Sequence, residues 1–144
     1  SILSYEKELM MDIPLTWNEF YKNILKLKEE TVSFVMGEIR NGKTFMCYGA
    51  STKGNTTLQL FGMNSEIIDA IADKNIDKHG LVTVGTNIPI ISEEEMRKRQ
   101  PDYLWVLPFH FISEFKERER EYLLKGGKMF VCSPKFKIIT KDDL

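Results

Sequence analysis

Cysteine is scarce in this sequence. It occurs at Cys47 and Cys132, and the two positions lack the close spacing of metal ligands. Both fall inside runs predicted to be strands, so we expect reduced, buried thiols of the kind found in cytoplasmic proteins. A disulfide framework and a metal site are therefore not expected.

Long apolar runs and an excess of one charge are also lacking. No stretch approaches the roughly 20 apolar residues that span a bilayer, and the N-terminal SILSYEKELMM is too charged for a signal peptide. Lysine and arginine number 20 against 21 acidic residues, so no positive field exists to hold a polyanion. Membranes and nucleic acid are therefore not expected as partners.

What is present is the composition of a globular domain, with 144 residues of which 42% are hydrophobic. Residues 1–15 carry no clear period, which predicts an arm or linker before a folded domain over 16–144. The chain starts with serine, from which we expect that it is part of a longer protein. Apolar residues then recur at spacings of three and four over residues 16–40, which predicts a long N-terminal helix. This helix either covers one sheet face or also packs against a neighbour, as a candidate homo-oligomer contact.

After Gly42 strand-like and helix-like runs alternate. The runs predict strands at 43–49, 66–72, 88–91, 102–107, 128–133 and 136–140, and helices at 56–63, 92–99 and 109–124. Alternation of this kind is typical of an α/β fold. We predict a Rossmann-like, doubly wound, mostly parallel sheet of five or six strands, with helices on both faces. If the strand order is 3-2-1-4-5, ligands bind between strands one and four.

The turn YGASTKGN, residues 48–55, joins the first predicted strand to a helix opened by Asn55 or Thr56. Gly49 and Gly54 allow the backbone to approach a ligand closely. A helix start in this place directs free N–H groups at an anion. The spacing is neither Walker A nor G-x-G-x-x-G, so a plain strand-to-helix turn is the alternative. The candidate substrate-binding residues here are Ser51, Thr52, Lys53, Gly54 and Asn55.

Further polar candidates follow the second predicted strand. Asp73 lies where dinucleotide folds hold a ribose, although an aspartate that opens a loop is also common turn chemistry. The long loop 74–87 supplies Lys78, His79 and Thr86 as donors for phosphates or hydroxyls. A solvated loop without a ligand is the alternative.

His110, after the fourth predicted strand, is the candidate for a catalytic role. A histidine can act as an acid or base near neutral pH, or donate a hydrogen bond to a ligand oxygen. Its neighbours Phe109 and Phe111 make a satisfied histidine at a helix start the alternative. The run 114–121 (EFKERERE) alternates in charge at helical spacing, which predicts a solvated helix face.

Several segments together resemble the C-terminal domain of S-adenosylmethionine-dependent sugar-nucleotide C-methyltransferases, which build branched deoxysugars. The segments are YGASTKGNTTLQLFG (48–62), DKNIDKHGLVTVGTNIPIISEEEM (73–96), PDYLWVLPFHF (101–111) and EREREYLLKGGKMFV (117–131). The resemblance covers about residues 15–140. Thr57 and Phe109 depart from the leucine and tryptophan that are frequent in the family.

The resemblance implies that the chain is one domain of a larger enzyme, preceded by a zinc-binding module and a central methyltransferase domain. S-adenosylmethionine would then bind a domain absent here, and no cofactor is expected on this chain alone. The implied partners are a nucleotide-diphosphate sugar and the upstream methyltransferase domain. The parent enzyme would remove a proton next to the keto group of the sugar and methylate the enolate.

In that enzyme the turn 51–55 would face the diphosphate or the nearby sugar, and the loop 73–87 and His110 would complete the pocket. We hypothesise that the isolated chain has no methyltransferase activity. Two other roles stay open. The domain can be a Rossmann-like nucleotide or dinucleotide-binding module with a regulatory or redox role, or a mainly structural domain that uses its long helix as a contact.

Overall fold

A six-stranded sheet forms the centre of the computed structural model, which describes residues 15–133 and 135–144. Its strands are β1 (Phe45–Tyr48), β2 (Ile71–Ala72), β3 (Ile90–Ile91), β4 (Tyr103–Val106), β5 (Lys128–Val131) and β6 (Lys137–Ile139). They lie in the order β3-β2-β1-β4-β5-β6, and every neighbouring pair is parallel except β5 and β6. The order reverses between β1 and β4, which confirms the predicted doubly wound, mostly parallel sheet.

The helices cover both faces of this sheet. They are α1 (Leu15–Arg40), α2 (Thr52–Leu60), α3 (Glu93–Arg99), α4 (Ile112–Arg118) and α5 (Arg120–Leu124). Short 3-10 turns lie at Ile76–Lys78, Phe109–Phe111 and Lys141–Asp143. Residues 1–14 of the predicted arm lie outside the described residues. In the part of the chain that is described, no helix is both long and apolar enough to cross a bilayer.

Every residue of β1 (FMCY) and β4 (YLWV) is buried, because a central parallel strand is covered on both sides. Alternate side chains go to opposite faces. Cys47 and Trp105 pack with Val35 of α1 and with α2, whereas Tyr48 packs with residues of α3, α4 and α5. Phe34 of α1 adds edge contacts to four rings of the first face, at centroid distances of 5.1 to 6.0 Å. The second half of α1 therefore covers the sheet.

Helix α2 begins four residues earlier than the sequence predicts. Ser51, not Asn55 or Thr56, is its N-cap, because the extended backbone of Ser51 lets its hydroxyl accept the N–H of Gly54 at 3.0 Å. Residues 52–55 therefore lie in the first turn of the helix and not in a loop before it.

Two other elements are shorter or less regular than predicted. Strand β2 keeps only two residues, because Asn64 starts a turn in which its side chain accepts the N–H of Glu66 and its carbonyl accepts that of Ile68. The helix predicted over 109–124 is divided into a 3-10 turn, α4 and α5. The break between the two α-helices falls at Glu119, whose side chain lies inside the domain.

Candidate functional site

The loops after β1 and β4 meet at the carboxyl end of the sheet. The N–H of Leu107 donates to the carbonyl of Tyr48 at 3.1 Å, which continues the strand pairing beyond β4. Gly49 has a φ of +92°, and a Cβ at this position would lie 2.7 Å from Cδ of Pro108. A glycine is required here by both the backbone conformation and the space. The two loops thus meet between β1 and β4, the place at which the strand order 3-2-1-4-5 predicts that ligands bind.

The N-terminus of α2 lies over this junction. Gly54 is buried, and a Cβ there would lie 2.8 Å from Cδ1 of Leu107, so the first turn of α2 packs directly on the loop after β4. The N–H groups of Thr52 and Lys53 have no carbonyl partner within the helix, because the first turn has none to offer. They and the exposed side chain of Lys53 are available to an anion.

A cavity of about 500 Å³ opens beside the junction on the side of α1 and α2. We call it the apolar cavity. Its walls include Leu27, Leu60, Trp105, Leu107, Phe109 and His110, and its polar end is the turn 51–54. The rings of Phe109 and His110 have centroids 4.1 Å apart and an interplanar angle of 37°. The cavity thus combines flat, apolar walls with a helix N-terminus.

A second cavity, of about 390 Å³, lies on the opposite face of the sheet and also reaches Ser51 and Pro108. We call it the charged cavity. Its charged side chains pair with one another, since Arg118 donates to Glu93 and to Glu114 at 2.7 Å each. The same guanidinium carbon lies 5.1 Å from the ring centroid of Phe115. These contacts hold Arg118 in place at the wall of the cavity.

Asp73 and Lys78 bind the backbone N–H and the backbone carbonyl of Ala50, respectively. The carboxylate of Asp73 accepts the N–H of Ala50 and that of Asn75, each at 2.8 Å. The ammonium of Lys78 donates to the carbonyl of Ala50 at 2.6 Å and lies 3.9 Å from Asp73. His79 contacts the carbonyl of Asp73 through Nε2 at 2.7 Å, and since a carbonyl only accepts, Nε2 carries the proton. This cluster fixes the backbone of the turn.

Asn55 and Thr86 connect α2 to the loop before β3. The amide of Asn55 donates to the carbonyl of Val84 at 2.9 Å, and its oxygen accepts the hydroxyl of Thr86 at 2.8 Å. Thr86 is buried and also hydrogen-bonds the hydroxyl of Thr83. Among the described residues that line the two cavities, neither Asn55 nor Thr86 is present.

The candidate residues therefore separate into three groups. Ser51, Thr52, Lys53, Gly54 and His110 border the apolar cavity. Asp73 and Lys78 border the charged cavity. Asn55, His79 and Thr86 contact protein groups outside both.

The charge pattern of the sequence did not predict a buried cluster that Tyr48, Arg97 and Glu119 form. Glu119, predicted to lie on a solvated helix face, has a side chain only 1% exposed. It accepts the hydroxyl of Tyr48 at 2.8 Å and two hydrogen bonds from Arg97, at 2.9 and 2.7 Å. Burial and the surrounding carboxylates raise the pKa of Tyr48, so its phenol stays protonated and donates. Charge alternation alone does not reveal which member of such a run turns inward.

Residues 1–134 match the family described as the C-methyltransferase C-terminal domain. The chain belongs to this family. The C-methyltransferase NovU of Streptomyces niveus is 31% identical to this C-methyltransferase C-terminal domain over 141 residues, which is 98% of the chain and 34% of NovU. The chain thus spans about a third of the length of that relative, and the resemblance is confirmed at the level of the family.

The C-methyltransferase C-terminal domain shows buried thiols, as predicted. Cys47 and Cys132 are both free and buried, and burial raises the pKa of Cys132 to about 11. Within residues 15–133 and 135–144, no three His, Cys, Asp or Glu side chains are grouped closely enough to hold a metal ion. The groups that line the junction include the N–H groups at the start of α2, the ammonium of Lys53 and the rings of Phe109 and His110.

Proposed function

We propose that this domain binds the nucleotide-diphosphate part of a keto-deoxysugar for an S-adenosylmethionine-dependent C-methyltransferase, and that the domain itself is not catalytic. The observation that carries the proposal is the apolar cavity at the strand-order reversal, in a chain of this family. Open α/β sheets bind ligands in this place. The cavity joins a helix N-terminus to the tilted rings of Phe109 and His110, which matches a ligand with both a diphosphate and a flat, partly apolar part.

The diphosphate is assigned to the start of α2. Two free N–H groups, at Thr52 and Lys53, and the positive end of the helix dipole converge there. The ammonium of Lys53 adds a charge that can form charge-assisted hydrogen bonds with phosphate oxygens. The hydroxyl of Ser51 already accepts from Gly54 and can still donate.

The nucleobase or the sugar is assigned to the rings that line the same cavity. Phe109 and His110 provide a wall against which a planar group can stack. His110 is exposed, so its ring can also donate to a sugar hydroxyl or exchange a proton with it. His110 would take part in the chemistry of the parent enzyme only if its ring contacts the reacting sugar.

Asp73 and Lys78 support the turn in this proposal. They bind the backbone N–H and carbonyl of Ala50, the residue before the N-cap Ser51. These contacts keep the first turn of α2 directed at the cavity. A dinucleotide-binding role would instead need Asp73 for ribose hydroxyls. Each of its carboxylate oxygens accepts a backbone N–H, so part of the acceptor capacity of Asp73 is used by the turn.

The polar groups of this cavity suit a diphosphate better than they suit the sulfonium of S-adenosylmethionine. Its sulfonium is a cation, whereas the polar end of the cavity consists of a helix N-terminus and Lys53, both positive. The methyl donor of the parent enzyme is therefore assigned to a part of the protein outside this chain.

Calorimetric titration tests the proposal. We expect the chain to bind nucleoside-diphosphate hexoses more tightly than NAD(H), and Lys53→Ala to weaken that binding about tenfold. Lys98→Ala is the matched control, because Lys98 is 69% exposed on α3 and lies away from the cavity, in an ion pair with Glu94. A preference for the dinucleotide, or equal affinities for both variants, would refute the proposal.

The absence of catalysis is tested separately. The chain is incubated with S-adenosylmethionine and a nucleotide-linked keto-deoxysugar, and the product is analysed by mass spectrometry. We expect no added methyl group. Robust methylation by the chain alone would show that the domain is catalytic.

A further inference from the structure

The loop before β3 exposes an unusual set of aliphatic side chains. Leu81 and Val82 are each 56% exposed, Val84 is 80% exposed, and Ile76, in the preceding 3-10 turn, is 78% exposed. We call Ile76, Leu81, Val82 and Val84 the hydrophobic loop. Scattered single apolar residues are normal on protein surfaces, but a concentration of them in one segment marks an interaction site.

The hydrophobic loop is well ordered by its own hydrogen bonds. The N–H of Thr83 donates to the carbonyl of Ile88, and that of Ile90 to the carbonyl of Leu81, each at 2.9 Å. Val82 and Pro89 form an antiparallel bridge between the same two segments. The loop is thus a hairpin that runs along the outer side of β3 and covers the sheet edge.

The tip of this hairpin is held with its apolar side chain outward. The carbonyl of Val84 accepts from Asn55 at 2.9 Å and from Gln59 at 2.8 Å, so two side chains of α2 hold it. Gly85 has a φ of +79°, and a Cβ there would lie 2.5 Å from Nε2 of Gln59. Asn87 also adopts a positive φ, of 56°. A loop ordered in advance loses little entropy when it binds a partner.

We propose that the hydrophobic loop is the surface on which the rest of a full-length C-methyltransferase docks. This chain covers 34% of NovU, so the larger part of such a protein lies outside the domain. The loop is also connected to the ligand turn, because Lys78 and Asp73 bind Ala50 while Asn55 and Gln59 bind Val84. A partner on the loop would therefore lie beside the part of α2 that carries Asn55 and Gln59, and other residues of α2 line the apolar cavity.

The inference rests on the proposed role in a longer methyltransferase, but not on the identity of the ligand. Docking against the hydrophobic loop would bring the catalytic part of the enzyme against α2, the helix whose N-terminus is assigned to the diphosphate. It would also restrain α2 through Asn55 and Gln59, so that domain contact and ligand binding support each other.

Hydrogen exchange measured by mass spectrometry tests the docking surface. We expect the amides of residues 80–87 to exchange about tenfold more slowly in the full-length enzyme than in the 144-residue chain. Val84→Asp should abolish this difference and leave the thermal midpoint of the 144-residue chain unchanged, since the side chain is exposed. Leu124→Asp is the control, because Leu124 is 55% exposed on α5.

Three results would overturn the docking proposal. They are equal exchange of residues 80–87 in both proteins, protection that Val84→Asp does not change, and protection in the isolated chain that disappears on dilution, which would identify a second copy as the partner. Ligand titration of the unsubstituted chain, beside the exchange measurement, distinguishes the two proposals. If the unsubstituted chain fails to bind nucleotide sugars while the protection persists, only the ligand assignment is wrong.

Discussion

Glu119 is the residue in which the charge pattern of the sequence and the packing of the domain disagree. It belongs to a run of alternating charges, and its neighbours Glu117 and Glu121 are exposed as that pattern predicts. Its own carboxylate lies between Tyr48 and Arg97, which come from β1 and α3. A buried carboxylate is tolerated only with such partners, since desolvation of an unpaired charge costs far more than one hydrogen bond returns.

We expect Glu119→Ala to lower the free energy of unfolding by about 3 kcal/mol, because the phenol of Tyr48 would lose its acceptor inside the core. The loss is limited by Arg97, which is 44% exposed and can be solvated again. Urea denaturation measures the change. Glu121→Ala, two residues away and exposed, should shift the free energy by no more than about 0.5 kcal/mol. Equal effects of the two substitutions would contradict a structural role for the cluster.

Helix α2 shows how a helix start is chosen by its surroundings. Four residues near its beginning carry hydroxyls, namely Ser51, Thr52, Thr56 and Thr57, and each is an acceptable cap by residue type. Ser51 is selected because Gly54 can then pack on Leu107, where no side chain fits. Local sequence alone does not contain this information, since Leu107 belongs to the loop after β4.

Gly54→Ala should therefore destabilise the domain, by about 1–3 kcal/mol, because the added methyl group would push α2 away from Leu107. Gly37→Ala is the matched control in another helix. No atom of the described residues lies within 4 Å of the Cβ that it adds, so it should stabilise the domain by about 0.5–1 kcal/mol through helix propensity. Thermal denaturation measures both. Stabilisation by both alanines would mean that α2 does not pack as described.

On the scale of the whole molecule, thiols and phenols are buried on both faces of the sheet, and their burial makes the free energy of unfolding depend on pH in the alkaline range. Burial raises the pKa of Cys132 to about 11, and burial together with the hydrogen bond to Glu38 raises the pKa of Tyr103 to about 12. Burial likewise raises the pKa of Cys47 and of Tyr48. The folded domain therefore keeps protons that the unfolded chain releases from about pH 8.5 for thiols and about pH 10 for phenols.

Stability should accordingly be complete below about pH 8.5 and decrease as the pH rises toward 12, because the folded state then binds more protons than the unfolded state. The urea midpoint at pH 8 and at pH 10.5 measures the decrease. Cys132→Ala should make the dependence between pH 9 and 11 shallower, because one buried thiol is removed. A midpoint that stays constant up to pH 10.5 would contradict the assigned pKa shifts.

Much of this domain could be predicted from the order of its residues. The runs FMCY and YLWV are apolar on both faces, which places β1 and β4 at the centre of a parallel sheet and the ligand edge at their carboxyl ends. Within the candidate site, the contact of Gly49 with Pro108 was predictable because topology brings the two loops together. The topology does not predict which polar side chains are available to a ligand and which are hydrogen-bonded within the protein.

Apolar periodicity is a pattern of a few neighbouring residues, and for that reason the sequence by itself determined the alternation of strands and helices. The sequence also determined the family to which the chain belongs. Hydrogen-bond partners act across the chain. Asp73 binds Ala50 from 23 positions away, and Glu119 binds Tyr48 from 71. Only the tertiary structure therefore decided that Asp73 and Asn55 hold backbone groups, that Glu119 is buried, and that the turn after β1 keeps its helix N-terminus free at the edge of a cavity.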